Sequence, residues 1–239
     1  MSAAAETAAE RTAVPALLAI SDRRTLGISD RPNPADPADA WAAWLAELAA
    51  DGVPALQLRE KDLDDRALFD LALATRRALP PPFRLLVNGR PDVALAAAAD
   101  GVHLPAAGLP TAAVAGRFGA LLAVGRSTHA VAEVAAARDA GAAYVTFGPV
   151  WPTPGKERYG AAKGVDGADG LAAACALGLP VIALGGVTMP ERVAEAAAAG
   201  AAGVAGIRAF QDPRLRRELV AAAREAFAGR LPGGAPAGM

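Results

Sequence analysis

Short apolar runs recur along the chain, and each gives way to a stretch with helical spacing. The runs are ALLAIS (16–21), ALQLRE (55–60), RLLVNG (84–89), GVHLP (101–105), LLAVGRS (121–127), YVTFGPV (144–150), PVIALGG (180–186) and GVAGIRAF (203–210). Between them lie DAWAAWLAELAADG, DDRALFDLALATRRAL, VAEVAAARDAG and PERVAEAAAAG. Three helical stretches stop at a glycine where a C-cap falls: Gly52, Gly141 and Gly200. Unbroken apolar runs, rather than alternating ones, suit parallel strands buried on both faces. Eight such strands alternating with helices predict a single (β/α)8 TIM barrel over residues 14–229. A doubly wound open sheet is the architectural rival.

Composition agrees with one large domain. The chain has 239 residues, and a barrel of this kind needs about 250, with about 200 as a lower limit. Apolar residues are 53% of the chain but aromatics only 5%. Alanine dominates, and small side chains let helices lie close to a sheet. Basic and acidic residues nearly cancel, 24 against 25. That balance offers no basic excess for nucleic acid and no polybasic membrane patch. The first 13 residues carry Glu6, Glu10 and Arg11 where a signal peptide needs an apolar core, so they read as a flexible leader. Residues 230–239 read as a frayed tail. The single cysteine, Cys175, reads as a buried structural thiol on a helix face. A cytoplasmic protein is expected, with a homo-oligomer possible.

In a barrel, active sites form where strands end and βα loops begin. The first strand ends at Ser21, Asp22 and Arg23. The second carries Gln57, Arg59 and Lys61 at alternate positions, which sends all three to one side as a polar, cationic wall. A structural ion pair with a neighbouring carboxylate is the other reading of that wall. The third strand ends at Asn88-Gly89-Arg90, the fourth at His103, and the fifth at Ser127-Thr128-His129. The sixth enters GPVWPTPGK (148–156), a turn-rich candidate lid with Thr153 and with Lys156 able to reach an anion. Gly185-Gly186 after the seventh and Gly206-Ile207-Arg208 after the eighth expose backbone amides where barrels often hold a phosphate. The loop from Arg23 to Asp39, rich in proline and aspartate (RPNPADPAD), is either a cover for the site or for a partner, or a solvated connection.

Taken together, QLREK (57–61), GVHL (101–104), GRSTH (125–129), YVTFGPVWPTPGK (144–156) and PVIALGGV (180–187) resemble the thiamine phosphate synthase/TenI superfamily over roughly residues 15–228. The resemblance implies a (β/α)8 barrel and one of two activities. Synthases join a pyrimidine methyl diphosphate to a thiazole phosphate with magnesium. TenI-type proteins isomerise a carboxylated thiazole phosphate to its aromatic form without a metal. This chain departs from the synthase pattern at four places. Gly89 and Gly108 stand where the resemblance places the two magnesium-binding aspartates. Gly155 replaces a hydroxyl residue before the loop lysine, and Arg208 replaces a serine. Asp92 and Asp100 are nearby carboxylates, but one opens a helix and the other precedes a strand.

The resemblance therefore implies a TenI-like thiazole tautomerase with no cofactor. His129 is the candidate acid/base, because one imidazole near neutral pKa can both take and give a proton; a hydrogen-bonded structural role for it stays open. Gln57, Arg59, Lys61, Asn88, Ser127, Thr153 and Lys156 are the candidate substrate-binding residues. Gly185, Gly186, Gly206, Ile207 and Arg208 are the candidate phosphate site, with Arg208 either a clamp or a plug. His103 reads as structural or pocket-lining. The expected partner is a small phosphorylated thiazole. A magnesium-dependent synthase with an altered metal site, and a barrel that only binds thiazole or thiamine phosphate, are the alternatives.

Overall fold

The computed structural model describes residues 14–26, 37–153, 162, 164 and 170–228. The leader 1–13, the tail 230–239 and Lys156 lie outside the described residues, and so do residues 27–36. Eight parallel strands close in sequence order into a barrel: β1 (Leu17–Ile20), β2 (Ala55–Leu58), β3 (Arg84–Asn88), β4 (Gly101–Leu104), β5 (Ala123–Thr128), β6 (Tyr144–Phe147), β7 (Val181–Leu184) and β8 (Gly203–Gly206). β8 pairs with β1 to complete the ring, which excludes the open sheet. The helices between them are α1 (Pro37–Asp51), α2 (Asp65–Ala78), α3 (Pro91–Ala96), α4 (Thr111–Phe118), α5 (Val131–Asp139), α6 (Leu171–Cys175), α7 (Pro190–Ala198), α8 (Arg208–Gln211) and α9 (Pro213–Ala226).

Strand alternation separates two cores. Leu17, Leu56, Leu58, Leu85, Val87, Val102, Leu104, Val145 and Val181 point outward and pack under the helices. Leu18, Ile20, Ala55, Leu86, Tyr144, Ile182 and Ala205 fill the barrel itself. Both faces are apolar, which is why the runs read as continuous rather than alternating. Gly52, Gly141 and Gly200 each hold a positive φ of 82–89° at the end of a helix, the left-handed cap that only glycine adopts without strain.

Most strands stop short of the apolar runs that predict them, and two of the differences have a clear cause. The fifth strand begins at Ala123, because Leu121 and Leu122 complete a turn onto the Phe118 carbonyl. The eighth ends at Gly206: Ile207 adopts helical dihedrals and Arg208–Gln211 form α8. This short helix is pinned from below. Arg216, 1% exposed, donates to the Phe210 carbonyl at 3.0 Å and to Asp51 Oδ2 at 2.6 Å. Trp44 Nε1 donates to the same carbonyl at 3.3 Å. The first turn after β8 is thus fixed from α1 and α9. Among the described residues no helix is long and apolar enough to cross a membrane.

Candidate functional site

The C-terminal ends of the strands form the mouth, and a band of polar side chains crosses the interior just beneath it. Gln57 Nε2 donates to Asn88 Oδ1 at 3.0 Å. His103, on the neighbouring strand, lies 3.0 Å from the Tyr144 hydroxyl through Nδ1 and 2.9 Å from Ser127 Oγ through Nε2. Burial pushes the His103 pKa down to about 3, with Arg126 and Arg59 adding in the same direction. The ring is therefore neutral, with one nitrogen donating and one accepting. Burial also drives the Tyr144 hydroxyl far above its ordinary range. Gly125 makes room for that ring, since a Cβ there would overlap Tyr144 Cζ and Oη. Gln57 Oε1 is buried with no hydrogen-bond partner among the described residues, leaving an acceptor beneath the mouth.

At the β1–β2 rim a cleft of about 270 Å³ is lined by Asp22, Arg24, Arg59, Glu60, Lys61 and Asp62. Of the three alternating positions only Gln57 lies within the strand; Arg59 and Lys61 follow it and both line this cleft. β2 stops at Leu58, so Arg59 is a half-buried residue just past the strand and Lys61 an exposed turn residue. The carboxylates on this rim go to Arg23 instead of Arg59: Arg23 pairs with Glu60 at 3.2 Å and with Asp62 at 2.9 Å. Among the described residues no carboxylate pairs with Arg59, so its charge faces the cleft. Glu60 is buried, and that burial raises its pKa against the hydrogen bonds from Ser21 and Arg23 that lower it.

The β7–β8 rim holds a second cavity, of about 320 Å³, lined by Thr153, Gly185, Gly186, Val187, Gly206, Ile207 and Arg208, among others. Gly185 and Gly186 carry φ of 99° and 73°. Side chains there would also collide with the sixth loop: a Gly185 Cβ would sit 2.9 Å from Pro149 Cα, and a Gly186 Cβ 2.7 Å from Trp151 Cβ. Glycine is thus required twice over, by dihedral and by close approach. The amides of Gly185, Gly186 and Val187 donate to no acceptor among the described residues. Successive unpaired amides are an anion-binding arrangement. Arg208 is exposed and makes no ion pair among the described residues, so it stands at the rim and does not plug the cavity.

The residues that would hold a divalent ion do not fit one. Gly89 has a φ of 72°. Gly108 is closed to a side chain, because a Cβ would lie 2.9 Å from Pro105 Cδ and 3.0 Å from the Pro105 carbonyl oxygen. Asp92 and Asp65 are both held by Arg90. The Arg90 hydrogen bond, ahead of burial in the opposite sense, keeps the Asp92 carboxyl below its usual range. Asp100 binds Arg76 and the Leu85 amide and caps the far end of the barrel. Asn88 spends its carbonyl oxygen on Gln57. Among the described residues no group of three or more His, Cys, Asp or Glu side chains is arranged to hold a metal.

His129 stands half-buried at the end of β5. Its Nδ1 lies 2.6 Å from the Gly148 carbonyl, which can only accept, so the proton resides on Nδ1 and Nε2 is the basic nitrogen of the neutral ring. Its backbone amide donates to Glu133 at 2.6 Å. The imidazole lines neither the β1–β2 cleft nor the β7–β8 cavity but the rim between β5 and β6. Ser127 is committed to His103, and Thr153 to the Trp151 carbonyl at 2.9 Å, though Thr153 also lines the β7–β8 cavity. Cys175 is half-buried on α6, and burial raises its thiol pKa to about 11. The sequence reading missed Arg192 and Glu195 on α7, which bond the Gly186 carbonyl and the Trp151 indole, and the Tyr144 partner of His103. An arginine one turn into a helix that follows a Gly-Gly turn was the available signal.

Comparison with known proteins gives a consistent result. A family model described as thiamine monophosphate synthase matches residues 28–210. A putative thiamine-phosphate synthase of Geobacter sulfurreducens is 47% identical over 179 residues, 72% of this chain and 82% of its own length. The thiamine-phosphate synthase of Anaeromyxobacter dehalogenans is 38% identical, over 77% of this chain and 82% of that protein. A solved thiamine phosphate pyrophosphorylase from Pyrococcus furiosus superposes with a TM-score of 0.74 at 25% identity, over 91% of this chain and 99% of that one.

Proposed function

This chain belongs to the thiamine monophosphate synthase family, and we propose that within it the barrel binds a phosphorylated thiazole and isomerises it by proton transfer without a metal. The phosphate lies in the β7–β8 cavity against the amides of Gly185, Gly186 and Val187, with Gly206, Ile207 and Arg208 opposite. Arg59 and Lys61 face the carboxylate or the ring from the β1–β2 side, and Gln57 and Asn88 form the polar floor with Ser127. His129 Nε2 takes a proton from one carbon of the substrate and returns one at another, so the net charge and the electron count do not change.

The observation that carries the metal-free reading is Gly108, whose environment rejects the side chain that a metal ligand would need. The names of the relatives favour a second reading, a transferase that joins a pyrimidine diphosphate to a thiazole phosphate at an altered metal site. Two parallel incubations separate them. One offers the carboxylated thiazole phosphate alone; the other offers thiazole phosphate, the pyrimidine diphosphate and magnesium. Aromatic product in the first and none in the second supports the isomerase. Pyrophosphate release in the second, with no change in the first, establishes the transferase. Neither product, with saturable binding of the thiazole phosphate, leaves a binding protein.

A further inference from the structure

The three amides of the β7 turn are aimed by their carbonyls. In a trans peptide the C=O and the following N–H point in opposite directions. The Val150 amide donates to the Leu184 carbonyl at 3.0 Å, which turns the Gly185 N–H away from the sixth loop. The Trp151 amide donates to the Gly185 carbonyl at 3.3 Å, which does the same for Gly186. The third peptide has no backbone donor among the described residues. Its Gly186 carbonyl is bound by the Arg192 guanidinium and, at 3.3 Å, by the Thr188 hydroxyl. Arg192 also donates to Thr188 Oγ1 at 2.9 Å, so both donors are locked together.

Arg192 does this from α7, and the same helix face holds the other wall. Glu195, three residues on and therefore a neighbour on that face, accepts from Trp151 Nε1 at 2.9 Å. The Arg192 guanidinium lies 5.7 Å from the Trp151 ring centroid. α7 thus grips both the sixth loop and the Gly-Gly turn. We propose that Arg192, with Thr188, is a positioning residue for the phosphate: it fixes the Gly186–Val187 peptide so that the Val187 amide points into the β7–β8 cavity, without touching the ligand itself. Gly186 has no side chain to restrict its ψ, so without Arg192 that peptide can rotate and present a carbonyl to an anion. The inference rests on the phosphate reading of this cavity.

The test is titration of the full chain with inorganic phosphate, followed by calorimetry and by the amide shifts of Gly185, Gly186 and Val187. A hydrogen bond from a charged donor sets the scale, so Arg192→Gln is expected to raise the phosphate Kd about tenfold or more and to abolish the phosphate-induced shift of Val187. Arg192→Lys, which keeps a cationic donor, restores part of both. A merely structural role lowers the melting temperature of Arg192→Gln but leaves the Kd unchanged at temperatures where the variant is folded, and that result overturns the inference while sparing the phosphate site. If the unsubstituted chain shows no phosphate binding, both the site and the inference fall. Should Arg192→Gln not fold, Arg192→Lys and Thr188→Ala carry the test, and a Kd equal to that of the unsubstituted chain in both overturns it.

Discussion

Adding one methyl group at Gly125 would break the packing of the barrel interior. In Gly125→Ala the new Cβ overlaps Tyr144 Cζ and Oη and lies 2.5 Å from Cε1. Tyr144 is 2% exposed and its ring has nowhere to retreat without moving Oη from His103 Nδ1, now 3.0 Å away. Overpacking of this kind costs about 1–3 kcal/mol. Leaving a buried polar group on His103 unpaired adds about 1–3 kcal/mol. Alanine in a strand recovers roughly 0.5–1 kcal/mol over glycine, so the steric and polar costs win by about 3 kcal/mol. For a domain of this size that lowers the melting temperature by about 6–12 °C. Urea unfolding measures the single variant and Gly125→Ala in a Tyr144→Leu background, where the overlapping atoms are gone. The cost is expected to fall below about 1 kcal/mol there, as a coupled pair requires. A single-variant cost under about 1 kcal/mol, or equal costs in both backgrounds, refutes the reasoning.

Other outcomes follow from the same geometry. His103 is held at a pKa of about 3 when folded and titrates near 6.5 when unfolded. The unfolded chain therefore binds the proton first, so stability is full above pH 6.5 and is lost as pH falls toward 3, by up to about 1.4 kcal/mol per unit. Urea midpoints across that window check it. Burial raises the Glu60 pKa, which acts with the opposite sign at its own titration, so His103→Asn is the comparison that isolates the histidine. Arg216→Met leaves Asp51 with only the more distant Arg217 at 3.9 Å and the Phe210 carbonyl with only Trp44 Nε1, and unfolding experiments are expected to show a loss of about 2–4 kcal/mol, less than a fully buried pair because Glu47 is half-exposed. Arg208→Gln is expected to weaken phosphate binding about 3–10-fold at low salt and less at high salt, because the side chain is exposed; calorimetry at two ionic strengths checks it.

Most of the architecture was legible because β/α alternation with both strand faces apolar is a local pattern. All eight runs became strands, and the three helix-ending glycines took the left-handed conformation. The run at 203–210 did not show its break, since Ile207, Ala209 and Phe210 are as apolar in the packed turn of α8 as they would be in a strand. At the mouth, Gly185, Gly186, Gly206, Ile207 and Arg208 did gather around one cavity, because they leave adjacent strands. The wall of three divides after Gln57: the strand ends at Leu58, and Arg59 and Lys61 reach a shared cleft from the turn beyond it. Pairings across long separations were invisible: Arg23 with Glu60, Tyr144 with His103, and Trp151 with Glu195 are set by barrel closure, not by spacing.

The most direct measurement of the account is the rate of aromatisation of the carboxylated thiazole phosphate in EDTA, for the unsubstituted chain and for His129→Asn. EDTA is expected to leave the unsubstituted rate unchanged. The asparagine variant is expected to lose about 10²–10⁴-fold, the usual worth of a positioned general acid–base group, with its binding of the substrate intact. Turnover that EDTA abolishes and magnesium restores, or an asparagine variant as fast as its parent, contradicts this mechanism.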